Sequence, residues 1–177
     1  MRKQYIWPVL AVVLLLTFSV GTTLAYLMAS PRAVKNTFTV GEVSIVLTET
    51  TGKKYVMAPG VDILKDPVVT VQAGSEDCWL FVKMEKAAAF DQYCTYEAES
   101  GWTALPDHEG VYYRQVSKSA VNLRFHLLKN DRVWVKDSLT EEQLAAIATP
   151  PTLTFTAYAI QKKSLDDPSD AWAALHP

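Results

Sequence analysis

The sequence predicts a protein that is mainly all-β: a jelly-roll-like β-sandwich with one or two short helices, preceded by an N-terminal hydrophobic signal helix. Three observations lead to this prediction. The run "LTFTAYAIQ" at Leu153–Gln161 alternates apolar and polar residues, as a strand with one buried face does. Turn residues separate many further short apolar runs, a spacing typical of a sandwich or jelly roll rather than of alternating strands and helices. An apolar segment without charged residues follows the basic head of the chain.

The opening segment, residues 1–25, has the features of a secretory signal peptide. A basic head is followed by an uncharged stretch from Gln4 to Pro31, and the small-x-small exit Thr23-Leu24-Ala25 predicts a cut between Ala25 and Tyr26, with Ala29 as a second possibility. The alternative is an uncleaved transmembrane anchor, because an uncharged span of about 20 residues can cross a bilayer. We therefore expect a secreted protein of the cell surface or matrix, or a single-pass membrane-anchored one.

The rest of the chain divides into an N-terminal arm, residues 26–36, and a single β-sandwich domain, residues 37–177. Loss of residues 1–25 leaves 15 Lys and Arg against 19 Asp and Glu, a net charge of −4. Acidic and basic residues are interspersed, so the chain offers no basic stripe to nucleic acid. Contact with a membrane is expected only through the N-terminal segment, if it is not cleaved.

The first run of the domain, "NTFTVGEVSIVLTE", changes the parity of its apolar residues between Val40 and Val43. A β-bulge at Gly41 would restore a common face within one strand. The segment "CWLFVKME" is apolar on both parities at first, which indicates a central strand covered on both faces. Further strands are predicted at Val68–Gln72, Thr95–Ala98, Val111–Val116, Asn122–Leu128, Arg132–Lys136 and Leu153–Gln161. Turns are predicted at Ala58-Pro59-Gly60, Ala73-Gly74-Ser75, Glu99-Ser100-Gly101, Asp107–Gly110 and Lys129-Asn130-Asp131.

Two short helices interrupt the strands. Thr140 and Gln143 have the spacing of a capping box and open the helical run "EEQLAAIA", which Pro150 and Pro151 would end. Near the C-terminus, Ser169 is a candidate N-cap for "DAWAALH".

Four phrases of the chain carry a family resemblance when they are taken together: "GTTLAYLMASPRAVKNTFTVGEVSIVLTE", "KDPVVTVQAGSEDCWLFVKME", "GWTAL" and "PTLTFTAYAIQKK". They resemble the secreted Gram-positive proteins whose signal peptide is cut by the specialised peptidase SipW, the TasA and camelysin family. The resemblance runs from the signal to Gln161. It implies a jelly-roll-like domain, export with a signal peptidase as transient partner and, in the TasA branch, extracellular fibres of a biofilm matrix. In those fibres the mature N-terminal segment of one subunit completes the sheet of its neighbour.

The arm carries the apolar groups Tyr26, Leu27, Met28 and Val34, and such a segment can add a strand to an exposed sheet edge. We therefore predict a non-enzymatic structural protein that forms a homo-polymer through this arm. The alternatives are an arm that is frayed or folds back on its own domain, and a monomeric or membrane-anchored surface domain that binds a ligand.

The residues predict no catalytic, cofactor-binding or metal-binding site. A zinc peptidase needs two histidines at helical spacing with a glutamate base, whereas His108, His126 and His176 stand far apart in the sequence. The chain has neither a GxSxG nucleophile turn nor a glycine-rich phosphate loop. The enzymatic alternative, a camelysin-like metal-dependent peptidase, comes from the resemblance alone.

Cys78 and Cys94 are the only cysteines, and an exported protein can oxidise them to a disulfide. If the strand from Cys78 turned back around Ala88 as a hairpin, Cys94 would lie near Lys83. The two Cα atoms would then exceed the limit of about 7 Å for a disulfide. A disulfide thus requires residues 87–94 to leave the hairpin path, and two buried free thiols are the alternative.

Overall fold

The structure, a computed structural model, describes residues 37–40, 42–51 and 55–176. This part of the protein is mainly β, as predicted, with few and short helices. The strands are β1 (Thr37–Val40), β2 (Ile45–Thr48), β3 (Asp62–Leu64), β4 (Val68–Val71), β5 (Cys78–Lys86), β6 (Cys94–Ala98), β7 (Thr103–Ala104), β8 (Val111–Val116), β9 (Leu123–His126), β10 (Leu128–Val135) and β11 (Leu153–Gln161). The helices are α1 (Phe90–Tyr93), α2 (Glu141–Ala145) and α3 (Pro168–Leu175). Within these ranges no helix has the length and apolarity to span a bilayer. The predicted signal helix lies outside the described residues.

The largest sheet, sheet A, has the strand order β1-β11-β5-β8-β7. Its centre is the antiparallel pair of β5 and β11, which runs in unbroken register from Cys78 opposite Gln161 to Lys86 opposite Leu153. β8 pairs with β5 on the other side, also antiparallel. β1 pairs with β11 in parallel. Sheet A therefore pairs the first described strand with the last one.

Two smaller sheets of three strands each complete the β structure. Sheet B has the order β2-β4-β9, and sheet C has the order β3-β10-β6. All strand pairs in both sheets are antiparallel.

One buried cluster joins the three sheets. From sheet A it contains alternate residues of β5, such as Leu80 and Val82, together with Ala157 of β11. Val69 of sheet B and Val133 of sheet C belong to the same cluster. Because alternate residues of a strand point to one face, sheets B and C cover one face of sheet A.

The opposite face of sheet A has its own apolar cover. Trp79 and Phe81 of β5 pack there with Ala171 and Trp172 of helix α3. The ring centroids of Phe81 and Trp172 are 5.2 Å apart. β5 is thus covered on both faces, which confirms the prediction made from its continuous apolar run.

Several predicted strands are confirmed almost residue for residue: β4, β5, β6, β8 and β11. The prediction of a single bulged strand around Gly41 is wrong, because β1 lies in sheet A and β2 in sheet B. One face of the segment is buried, and it includes Val43, Ile45 and Leu47. That face belongs to sheet B, where β2 pairs with β4. The change of parity marks a chain that passes from one sheet to another. Gly41 itself lies outside the described residues.

The predicted turn at Lys129-Asn130-Asp131 does not separate two strands. Asn130 and Asp131 lie inside β10 with φ of 54° and 55°, and the pairing of β10 with β6 changes register between Leu128 and Val133. Asn and Asp tolerate the left-handed conformation better than other residues with a side chain. The polar triplet therefore forms an irregularity within one strand.

The helix predictions are confirmed with changed boundaries. The capping box of α2 is present: the Gln143 N–H donates to Thr140 Oγ1 at 3.2 Å, and the Thr140 N–H donates to Gln143 Oε1 at 2.9 Å. α2 ends at Ala145, well before Pro150. The N-cap of α3 is Asp167 and not Ser169, because Pro168 takes the first helical position and Asp167 Oδ1 accepts from the Ser169 N–H at 2.7 Å.

Candidate functional site

The edge of sheet A where the described chain begins is formed by β1. β1 covers only part of β11, from Ala157 opposite Thr37 to Ile160 opposite Val40. The other part, Leu153–Thr156, pairs with β5 on one side and with no strand on the other among the described residues. An open strand edge presents N–H and C=O groups that can pair with an added strand. β1 thus lies beside a stretch of the same edge that has no partner within residues 37–40, 42–51 and 55–176.

The residues assigned to signal cleavage, Ala25 and Tyr26, lie outside the described residues. The same holds for the remaining apolar residues of the arm, Leu27, Met28 and Val34. The arm leads directly into Thr37, the first residue of β1.

The two cysteines are free thiols in different sheets. Cys78 begins β5 in sheet A, and Cys94 begins β6 in sheet C, where it is opposite Val135. Residues 87–94 do leave the hairpin path around Ala88, because they pass through α1 to another sheet. Burial raises the pKa of Cys78 to about 12, with a smaller contribution from Asp77, and raises the pKa of Cys94 to about 11 against a smaller lowering by Lys136. Such thiols are poor nucleophiles, because the thiolate is the reactive form.

Two of the three histidines lie beside the same tryptophan, and the third lies elsewhere. His108 and His176 both contact Trp172, with ring centroids 6.0 and 4.0 Å from its ring. His126 lies elsewhere and pairs with Asp131, Nδ1 to Oδ1 at 2.8 Å. The described residues contain no group of three or more His, Cys, Asp or Glu side chains arranged to hold a metal ion.

A site that the sequence reading missed surrounds Arg114 in β8. Its guanidinium carbon lies 4.0 Å from the ring centroid of Phe125 in β9 and 5.3 Å from that of Trp102. Burial lowers the pKa of Arg114. The Trp102 ring is fixed by its Nε1–H, which donates to the His126 carbonyl at 2.8 Å. One sequence signal was available: Arg114 and Val116 have the same parity, so the alternation of β8 places both side chains on one face of the strand.

Comparison with known proteins finds no family model, no curated protein and no solved structure that matches the chain.

Proposed function

We propose that the protein is an exported, non-enzymatic structural protein of the cell surface or biofilm matrix, a jelly-roll-like β-sandwich that assembles into fibres. The basic head, apolar run and small-x-small exit of residues 1–25 support export. The family resemblance of the sequence supports the matrix function.

The observation that carries the assembly proposal is the edge of β11, of which the described residues cover only part. β1 contributes only four residues, in parallel pairing, to a nine-residue strand. Parallel pairing is slightly less stable per residue than antiparallel pairing. A short parallel edge strand is therefore easily exchanged for the same strand of a neighbouring subunit.

The register of β1 supports a specific position for the added strand. Continuation of the β1 register by four residues brings 33–36 opposite Leu153–Thr156. Val34 would then stand opposite Thr154. In the proposed fibre this segment comes from the neighbouring subunit, and its apolar groups cover the edge while its backbone extends the sheet.

Electron microscopy tests this proposal on two forms of the protein, one that starts at Tyr26 and one that starts at Asn36. We expect fibres from the first and none from the second, because the shorter form has lost residues 26–35, which contain all the apolar groups of the arm. A peptide of residues 26–40 added in excess should stop fibre growth, and a peptide of the same composition in scrambled order is the matched control.

Each other outcome contradicts a part of the proposal. Fibres from the protein that starts at Asn36 would exclude strand addition by the arm. Absence of fibres from both forms would favour a monomeric surface domain. Sequencing the N-terminus of the exported protein tests the cut after Ala25, and an intact Met1 would identify an anchored protein.

A further inference from the structure

The geometry around Arg114 points to a binding site that the structural function does not use. We propose that Arg114 binds a carboxylate group, carried by a small organic acid or by a sugar acid. The site lies on the side of sheet A that faces sheet B, where β8 approaches β9.

The guanidinium group is held in place by its neighbours. Phe125 stacks against it, and Trp102 lies close by at the distances given above. Gly101 adds to the enclosure, since a Cβ atom there would lie 3.1 Å from Arg114 Nη2 and 3.6 Å from both Cζ and Nη1. With φ of +83°, Gly101 has a backbone conformation that favours glycine. Because glycine has no Cβ atom, the guanidinium can approach the backbone this closely. The planar group is therefore fixed before any ligand arrives.

The hydrogen-bonding capacity of Arg114 is unused in the structure. Its Nε is buried without a hydrogen-bond partner, and no ion pair in the described part of the chain includes Arg114. Nε is the one nitrogen of Arg114 that is fully buried without a partner, so a ligand would approach the guanidinium at Nη1 and Nη2. By contrast, Lys65 and Lys86 each have a carboxylate at 2.7 Å.

A carboxylate fits this exposed edge better than a spherical anion. Its two oxygens lie in one plane and match the two parallel N–H bonds of a guanidinium fork. The stacked rings exclude water from the faces of the fork, which strengthens the hydrogen bonds. Because the fork is already fixed, little side-chain entropy is lost on binding.

The test uses the protein that starts at Tyr26, at a concentration where it is soluble and unassembled. Sodium acetate and sodium glucuronate are titrated against sodium chloride at equal ionic strength, and the ¹H–¹⁵N signals of the Arg114 Nε–H and of the neighbouring Trp102 Nε1–H are followed by NMR. The Trp102 signal also measures binding by variants that lack Arg114. We expect a saturable shift with both carboxylates and none with chloride. R114K keeps the charge but lacks the fork, so the dissociation constant should rise about tenfold. R124K, at an exposed arginine of β9, is the matched control and should leave binding unchanged.

The two sources of the carboxylate give different results. Equal affinity for acetate and glucuronate would identify the carboxylate group alone as the ligand, and tighter binding of glucuronate would identify a sugar acid. A linear, chloride-like response of the Arg114 signal would overturn the proposal, as would undiminished binding by R114K. If R114K does not fold, the wild-type signal decides the question, because it reports on Arg114 directly.

Discussion

Asp66 shows how a single carboxylate can join two loops. It accepts hydrogen bonds from the backbone N–H groups of Thr50 and Thr51, each at 2.8 Å, and from both threonine hydroxyls. Partial burial alone would raise the pKa of Asp66, but these four hydrogen bonds outweigh it and hold the pKa well below its ordinary value. The folded state therefore favours the ionised carboxylate more than the unfolded state does.

We predict that Asp66→Asn lowers the free energy of unfolding by about 2 kcal/mol at neutral pH, the range for hydrogen bonds to a charged group. Because the folded pKa is depressed, this stabilisation is present above the unfolded pKa of about 3.9 and is lost as the pH falls below it. Urea unfolding at pH 7 and at pH 2.5 measures both values. Asp137→Asn, at an exposed carboxylate, is the control. An equal effect of Asp66→Asn at both pH values would contradict the hydrogen-bonded anion.

The sequence supports some inferences about single residues and not others. The alternation of "VYYRQV" places Arg114 on the same face of the strand as Tyr112 and Val116. Its aromatic neighbour Phe125 could not be inferred in this way, because it belongs to another sheet. Parity gives the face of a strand but does not identify what covers that face.

At the level of elements, one turn glycine fixes the distance between a loop and the central strand. Gly110 precedes β8 with φ of +74°, and a Cβ atom there would lie 2.6 Å from the Met84 carbonyl oxygen of β5. The Gly110 carbonyl accepts from the Met84 N–H at 2.8 Å. Gly74 offers a matched comparison, since its φ is +81° but a Cβ atom would meet nothing within 4 Å.

We predict that Gly74→Ala lowers the free energy of unfolding by about 1–2 kcal/mol, the strain of the left-handed conformation alone. Gly110→Ala should cost more, above about 3 kcal/mol, because the β8 turn must also move away from β5. Chemical denaturation of both variants measures the difference. If the two substitutions cost the same, the close approach to Met84 does not constrain the fold.

Strands and helices could be predicted from the sequence where the pattern of apolar residues is long. β5 and β11 have nine residues each and a clear apolar pattern, and both were predicted at nearly their full length. α1 has four residues and β7 has two, which is too short for any periodicity to show. The cap of α3 could have been found, since Pro168 is a standard first residue of a helix and makes Asp167 the N-cap.

At the scale of the whole molecule, β5 organises the structure. Its one face belongs to the cluster shared by the three sheets, and its other face to the cluster with α3. The sequence predicts the double burial but not the assignment of strands to sheets. That assignment depends on pairs far apart in the chain, such as β1 with β11. Hydrophobic alternation contains no information about such partners.

The reactivity of the two cysteines measures whether the three sheets stay packed together. Cys78 in sheet A and Cys94 in sheet C both lie in the cluster that joins the sheets, and both are almost fully buried. We predict that iodoacetamide at pH 8 modifies both thiols at one common rate, equal to the rate of global unfolding measured by tryptophan fluorescence. Burial supports this in two ways: it blocks access, and it keeps the thiols protonated by raising each pKa.

The raised pKa values also predict how stability depends on alkaline pH. The contribution of the two thiols to the free energy of unfolding is fully present below the unfolded pKa of about 8.5. It decreases as the pH rises towards the folded pKa values, because the unfolded chain then releases protons that the folded chain retains. Between pH 8 and 10.5 the wild type should therefore lose more stability than the variant C78A/C94A, which has no thiol to ionise. Mass spectrometry of the exported protein with and without reductant gives the independent check. A folded protein lighter by two hydrogens before reduction, or one thiol alkylated while the fluorescence stays native, would contradict two buried free thiols.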